Sequence, residues 1–178
     1  MKKKIVVLGF LGTNLDLGGK ARWGRWRPTI SLGQQDDLLV DRFELFYEKN
    51  FLDPAQLVQK DFQQVSPETE FNLREVVLKD PWDFQTVYSG IFDNLKDYKF
   101  DTDNEEYLVH ITTGTHVIQI CLFLLTESRQ FPGKTFSKHT CRNLGIRTEP
   151  IRSSILIFPS MTRLPNDSIR SRKTVFDF

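Results

Sequence analysis

The chain is poor in sulfur and imidazole, with two cysteines, two methionines and three histidines in 178 residues. Two cysteines, Cys121 and Cys141, make neither a disulfide framework nor a zinc ligand set. They fit reduced thiols in a cytoplasmic protein. No apolar run, Val117 to Leu125 included, reaches the length that spans a bilayer, so no membrane partner is expected. The start, Met1-Lys-Lys-Lys-Ile-Val-Val-Leu-Gly-Phe10, resembles a secretion signal only superficially. Its apolar run is very short and no small-residue cleavage site follows, which leaves a first strand as the expected reading. Enzyme signatures are missing as well. Gly9-Phe-Leu-Gly12-Thr13 does not continue into a dinucleotide fingerprint, and no stretch has the spacing of an ATPase phosphate loop. His110 and His116 are not spaced as a zinc pair with a catalytic glutamate. No cofactor, no metal and no catalytic residue is therefore expected.

What is present is the composition of a globular domain: 39% hydrophobic and 26% charged residues, in a chain long enough for one domain with a real core. The total charge of +1 hides a break. Through Lys134 there are 16 Lys+Arg against 20 Asp+Glu, a net of −4; from Thr135 there are 8 against 3, a net of +5. The texture changes at the same place, from clear apolar periodicity to a stretch rich in Ser, Arg, Ile and Pro, with Ile155-Leu-Ile-Phe158 as its one coherent apolar run.

The periodicity predicts alternating elements. Lys4 to Phe10 reads as a strand, and Leu11 to Ile30 as a long glycine- and arginine-rich loop. A strand is expected near Val40 to Tyr47, a helix over Pro54 to Val65, and a strand over Phe71 to Leu78. Between Asp83 and Tyr98, the residues Phe84, Val87, Tyr88, Ile91, Phe92 and Leu95 share one helical face, with Asp80 or Asp83 as cap. A strand, Tyr107 to Ile111, and a helix from Val117 complete the series. Strands alternating with helices predict an α/β fold with a doubly wound parallel sheet.

Two segments point to a ligand. Thr112-Thr113-Gly114-Thr115-His116 lies between the Tyr107 strand and the Val117 helix. A polar glycine turn at the carboxyl end of a strand is where parallel sheets bind ligands, and the free N–H groups of the following helix favour phosphate. The bland reading is an ordinary strand–helix connection. His110, inside the strand, reads as a core histidine, while His116 can hydrogen-bond a ribose or phosphate or simply pack. The second segment, Arg22-Trp-Gly-Arg-Trp-Arg-Pro28, interleaves indoles that stack on bases with guanidinium groups that fork onto phosphate. Against this stands a loop pinned by tryptophan packing with solvated arginines.

These and further segments resemble one family. They are Val7-Leu-Gly-Phe-Leu-Gly-Thr-Asn-Leu-Asp16, Arg22 to Thr29, Gln34 to Arg42, Val65-Ser-Pro-Glu-Thr-Glu70, Asp80-Pro-Trp-Asp-Phe84, Glu106 to His116 and Leu122 to Arg129. Together they are similar to the amino-terminal sensor of the RtcR family, the sigma-54-dependent activators of the RNA 3′-terminal phosphate cyclase (RNA repair) operon, from about Lys4 to Lys134. The resemblance implies a Rossmann-like fold of the CARF class, with a parallel sheet flanked by helices, incomplete at its carboxyl end. It implies a regulatory domain that binds an RNA end or a cyclic oligonucleotide and works as a homodimer. The candidate ligand residues read from these segments are Gly12, Thr13, Arg25, Arg27, Thr112, Thr113, Gly114, Thr115 and His116. Glycines and threonines would offer N–H and hydroxyl donors, and arginines charge. The family's ATPase and helix-turn-helix modules do not follow in this chain, so no direct DNA or sigma-54 contact and no ATP hydrolysis are expected of it. The alternatives are a metal-independent cyclic oligonucleotide phosphodiesterase, for which no clear general base is present, and an inactive gene fragment.

The resemblance stops near Lys134. Arg152 through Ile169, and Thr135 through His139, read in a shifted codon frame, permit segments that look like the family's continuation. The expectation is a sensor domain over residues 1–134 and an out-of-frame or diverged tail over 135–178, adding little to the core beyond Ile155 to Phe158.

Overall fold

The computed structural model describes residues 2–35 and 37–136. Five strands form one sheet: β1 (Lys4–Phe10), β2 (Arg42–Glu48), β3 (Glu70–Val76), β4 (Glu105–His110) and β5 (Lys134–Phe136). Their order is β3-β2-β1-β4-β5, and every neighbouring pair is parallel. Four α-helices connect them: α1 (Pro28–Gly33), α2 (Leu52–Val65), α3 (Phe84–Lys96) and α4 (His116–Glu127).

The central strands are buried on both faces, as a parallel sheet requires. Side chains alternate along β1, so Val6, Leu8 and Phe10 pack with Val87, Ile91, Leu95, Ile118, Leu122 and Leu125 of α3 and α4. Val7 enters the opposite core with Phe43 and Leu45 of β2, Ile30 and Leu32 of α1, and Ala55, Val58 and Phe62 of α2. The rings of Phe43, Phe62 and Phe71 meet at 4.9 to 5.4 Å between centroids there. The expected doubly wound, Rossmann-like α/β sheet is the observed fold.

Most boundaries lie within one to two residues of the sequence reading, and Asp83 is the cap of α3, accepting from the Thr86 N–H at 2.7 Å. Three differences have local causes. The segment expected as loop to Ile30 contains 3-10 turns over Gly19–Gly24 and then α1. Pro28 begins α1, where its fixed φ suits the first turn and its missing N–H costs nothing. Helix α2 starts at Leu52, before Pro54, because proline is tolerated in a first turn. A fifth strand, β5, pairs Lys134, Thr135 and Phe136 with Leu108, Val109 and His110. It crosses the expected boundary at Lys134, so residues 135 and 136 carry ordered sheet pairing. The remainder of the expected tail, with Ile155 to Phe158, lies outside the described residues. Among the described residues no helix is long and apolar enough to cross a membrane.

Candidate functional site

Strand β1 leads to β2 on one side of the sheet, and its other neighbour β4 leads to β5 on the far side. The strand order therefore reverses between β1 and β4, and the crevice outside their carboxyl ends is the position where open α/β sheets take ligands. Two turns meet there. After β1 come Leu11, Gly12 and Thr13; after β4 come Ile111, Thr112, Thr113 and Gly114, with Thr115 as the cap of α4.

Gly12 and Thr113 abut. A Cβ on Gly12 would sit 2.9 Å from both Cβ and Cγ2 of Thr113 and 3.0 Å from Asp16 Oδ2, so only glycine fits. The Thr113 hydroxyl donates to the Phe10 carbonyl at 2.6 Å, tying the turn after β4 to the last residue of β1. Gly114 has φ +90°, closed to other residues without strain. Thr115 caps α4 by accepting from the Ile118 N–H at 3.2 Å and donates to the Pro81 carbonyl at 2.9 Å. The first turn of α4 carries no acidic side chain to offset the positive end of the helix dipole, and its Ile118 N–H is taken by Thr115.

The loop after β1 is organised by a buried carboxylate. Asp16 accepts from the Gly12 N–H at 3.1 Å, the Thr29 N–H at 3.0 Å and the Thr29 hydroxyl at 2.8 Å, and its backbone carbonyl accepts from Arg27 Nε. Burial raises the Asp16 pKa; the Thr29 and Gly12 hydrogen bonds and the Arg27 charge oppose that rise. Arg27 also donates from Nη1 to Asp61 at 2.7 Å, and Arg22 donates from Nε to the same carboxylate at 2.8 Å.

The nine expected ligand residues thus divide. Gly12, Thr113 and Thr115 shape the turns, with the Gly12 N–H and the two threonine hydroxyls already engaged. Arg27 is 2% exposed and faces Asp61 and Asp16 rather than solvent, so its expected role as a phosphate contact gives way to that of a loop anchor. Thr13, Thr112 and Gly114 are half-buried at the crevice, and His116 is exposed at the first position of α4. Arg25 is exposed on the loop before α1. His110 is a core residue, as read from sequence: it is fully buried, its Nδ1 has no partner among the described residues, and burial pushes its pKa down to about 4.

Sequence reasoning missed Asp16 and Asp61. Asp61 had a signal, since it shares the buried stripe of α2 with Ala55, Val58 and Phe62, where a carboxylate needs a cation. Asp16 had none, because its partners come from the turn and from α1.

The family model described as "Regulator of RNA terminal phosphate cyclase" (RtcR) matches residues 3–145. The chain belongs to this RtcR family. It is 46% identical over 134 residues to the transcriptional regulatory protein RtcR of Escherichia coli (strain K12), across 74% of this chain and 25% of that protein. The chain thus spans about a quarter of the length of this curated relative. Among solved structures, the fold is shared with Enterococcus italicus Csm6 bound to cyclic hexa-2′-fluoro-hexa-dAMP. The TM-score is 0.59 and the identity 15%, over 79% of this chain and 35% of that one. Protein VC1899 from Vibrio cholerae has a TM-score of 0.52 and 11% identity, over 74% and 30%. These likenesses fit the Rossmann-like CARF fold that the resemblance implied.

Proposed function

We propose that this chain is the ligand-sensing domain of a transcriptional regulator of RNA repair, and that it binds an RNA end or a cyclic oligonucleotide at the carboxyl ends of β1 and β4. The observation that carries the reading is the abutment of the Gly12 and Thr113 turns at the reversal of strand order, beside the acid-free first turn of α4. In this reading Thr13, Thr112, the Gly114 N–H and His116 meet the phosphate and ribose, Arg25 adds charge, and Gly12, Thr113 and Thr115 hold the turns. Family membership supports the regulatory role. The cyclic oligonucleotide held by the fold relative Csm6 supports the ligand class.

The domain works as a homodimer in this proposal. Helix α4 is apolar on its outer side too: Ile120 is 52% and Leu124 40% exposed, and a helix apolar all round needs a cover. The boundary near Lys134 and a frameshifted origin of the segment after it belong to the same proposal; sequencing of the locus through and beyond the stop codon tests them. An uninterrupted family frame would remove the frameshift.

Labelled cyclic oligoadenylate and labelled RNA fragments with a terminal phosphate, incubated with purified protein, test the function. Binding without turnover is the expected result. Cleavage that disappears in His116→Ala would make the chain a phosphodiesterase instead.

A further inference from the structure

The loop between β1 and α1 holds an indole at the surface on a charged mount. Asp61 receives Arg22 at 2.8 Å and Arg27 at 2.7 Å, so one carboxylate meets two guanidinium groups and one positive charge is left over. Both guanidinium carbons approach the ring of Trp23, Arg27 at 5.7 Å and Arg22 at 5.9 Å from its centroid. Trp23 is nonetheless 48% exposed. Two residues on, Arg25 is exposed, and it makes no ion pair among the described residues; Lys20 is likewise exposed and unpaired. The loop itself is fixed at three points: Arg27 on Asp61, Arg27 on the Asp16 carbonyl, and Thr29 on the Asp16 carboxylate.

A rigid loop that keeps a large aromatic half in solvent, with unpaired cations beside it, forgoes the burial that would normally stabilise a tryptophan. What fits such a surface is a flat aromatic group joined to an anion. A single-stranded nucleic acid repeats that unit, base and phosphate, at every residue. We infer that Trp23 is a base-stacking platform and Arg25 its phosphate contact, so that the ligand of this domain is a single-stranded RNA segment that runs from the β1–β4 crevice onto the β1–α1 loop. This rests on the sensor reading above and deepens it: the crevice takes the end group, and the loop takes a nucleotide next to it. Both arginines beside the indole already hold Asp61, which leaves Arg25 as the cation for the phosphate.

The test is fluorescence anisotropy with a dye-labelled single-stranded oligoribonucleotide of about ten nucleotides carrying a 3′-terminal phosphate, within the span of single-strand sites. Trp23→Ala is expected to weaken binding about 5- to 100-fold, the loss typical of one stacked base, while Trp23→Phe retains most of the affinity. Arg25→Gln, at an exposed position, is expected to reduce the slope of log affinity against log salt by about 0.7, one single-strand phosphate contact. Thermal melts of both variants show whether the loop stays folded. Wild-type affinity in both Trp23→Ala and Arg25→Gln overturns the inference and leaves the sensor reading standing. So does a wild-type protein that binds cyclic oligoadenylate but not the linear strand. A wild-type protein that binds neither ligand overturns the sensor reading and this inference together.

Discussion

The Thr113 hydroxyl reaches across the top of the sheet to the Phe10 carbonyl at 2.6 Å, and its Cβ and Cγ2 occupy the space a side chain on Gly12 would need. The two turns of the crevice are thereby one packed unit. Gly12→Ala should force Thr113 or Asp16 aside and destabilise the protein by about 1–3 kcal/mol, as overpacking does. The double variant with Thr113→Ser, which removes Cγ2 but keeps the hydroxyl, should recover part of the loss. Denaturant unfolding measures both; an unchanged midpoint in Gly12→Ala would mean the turns are not in contact.

Thr113→Val keeps the shape and removes the donor. The Phe10 carbonyl loses a buried partner, and stability should fall by about 1–2 kcal/mol. At this chain length that is a drop in melting temperature of about 2–8 °C. Oligonucleotide affinity should change less than in His116→Ala, because the hydroxyl points into the protein. An unchanged melting temperature with a large loss of affinity would move Thr113 from scaffold to ligand contact.

The features legible in the sequence were those that repeat. The apolar runs of β1 and β4 and the 3.6-residue stripe of α3 come from faces buried along most of their length, so each residue reinforces the same signal. The short elements were not legible. Helix α1 and strand β5 have six and three residues, too few for any period, and β5 exists because the edge of β4 is there to pair with. At the site, the turn after β4 could be read because Gly114 answers a local constraint, its φ of +90°, whereas the need for glycine at position 12 comes from Thr113 on another turn. Arg27 could not be assigned correctly, since nothing in Trp-Arg-Pro tells a guanidinium facing solvent from one facing Asp61 on another element.

Asp61 tests how the loop is anchored. It is buried and balances Arg27, itself buried, with Arg22 as a second partner. Asp61→Asn leaves the Arg27 charge uncompensated, and removal of one partner of a buried pair costs about 3–5 kcal/mol. Asp61→Leu combined with Arg27→Met should be less destabilised than the sum of the two single changes, because the buried Arg27–Asp61 pair leaves together while Asp16 keeps its Gly12 and Thr29 donors. If instead the three variants lose stability additively, the pair is not coupled.

His110 should make the fold acid-sensitive in a defined window. Its ring is neutral when folded down to about pH 4, whereas an exposed histidine protonates near 6.5. Above pH 6.5 both states are neutral and the residue adds no pH dependence. Between 6.5 and 4 the unfolded chain binds the extra proton, so stability falls as the pH falls, and below 4 the dependence levels off. The full difference corresponds to about 3 kcal/mol. His110→Gln cannot titrate, so the gap in unfolding free energy between it and the wild type should narrow by that amount on going from pH 7 to pH 4. Titration of neighbouring carboxylates is common to both proteins and cancels in the comparison. Parallel stability–pH curves for the two would mean that His110 is protonated, and therefore solvated or paired, in the folded protein.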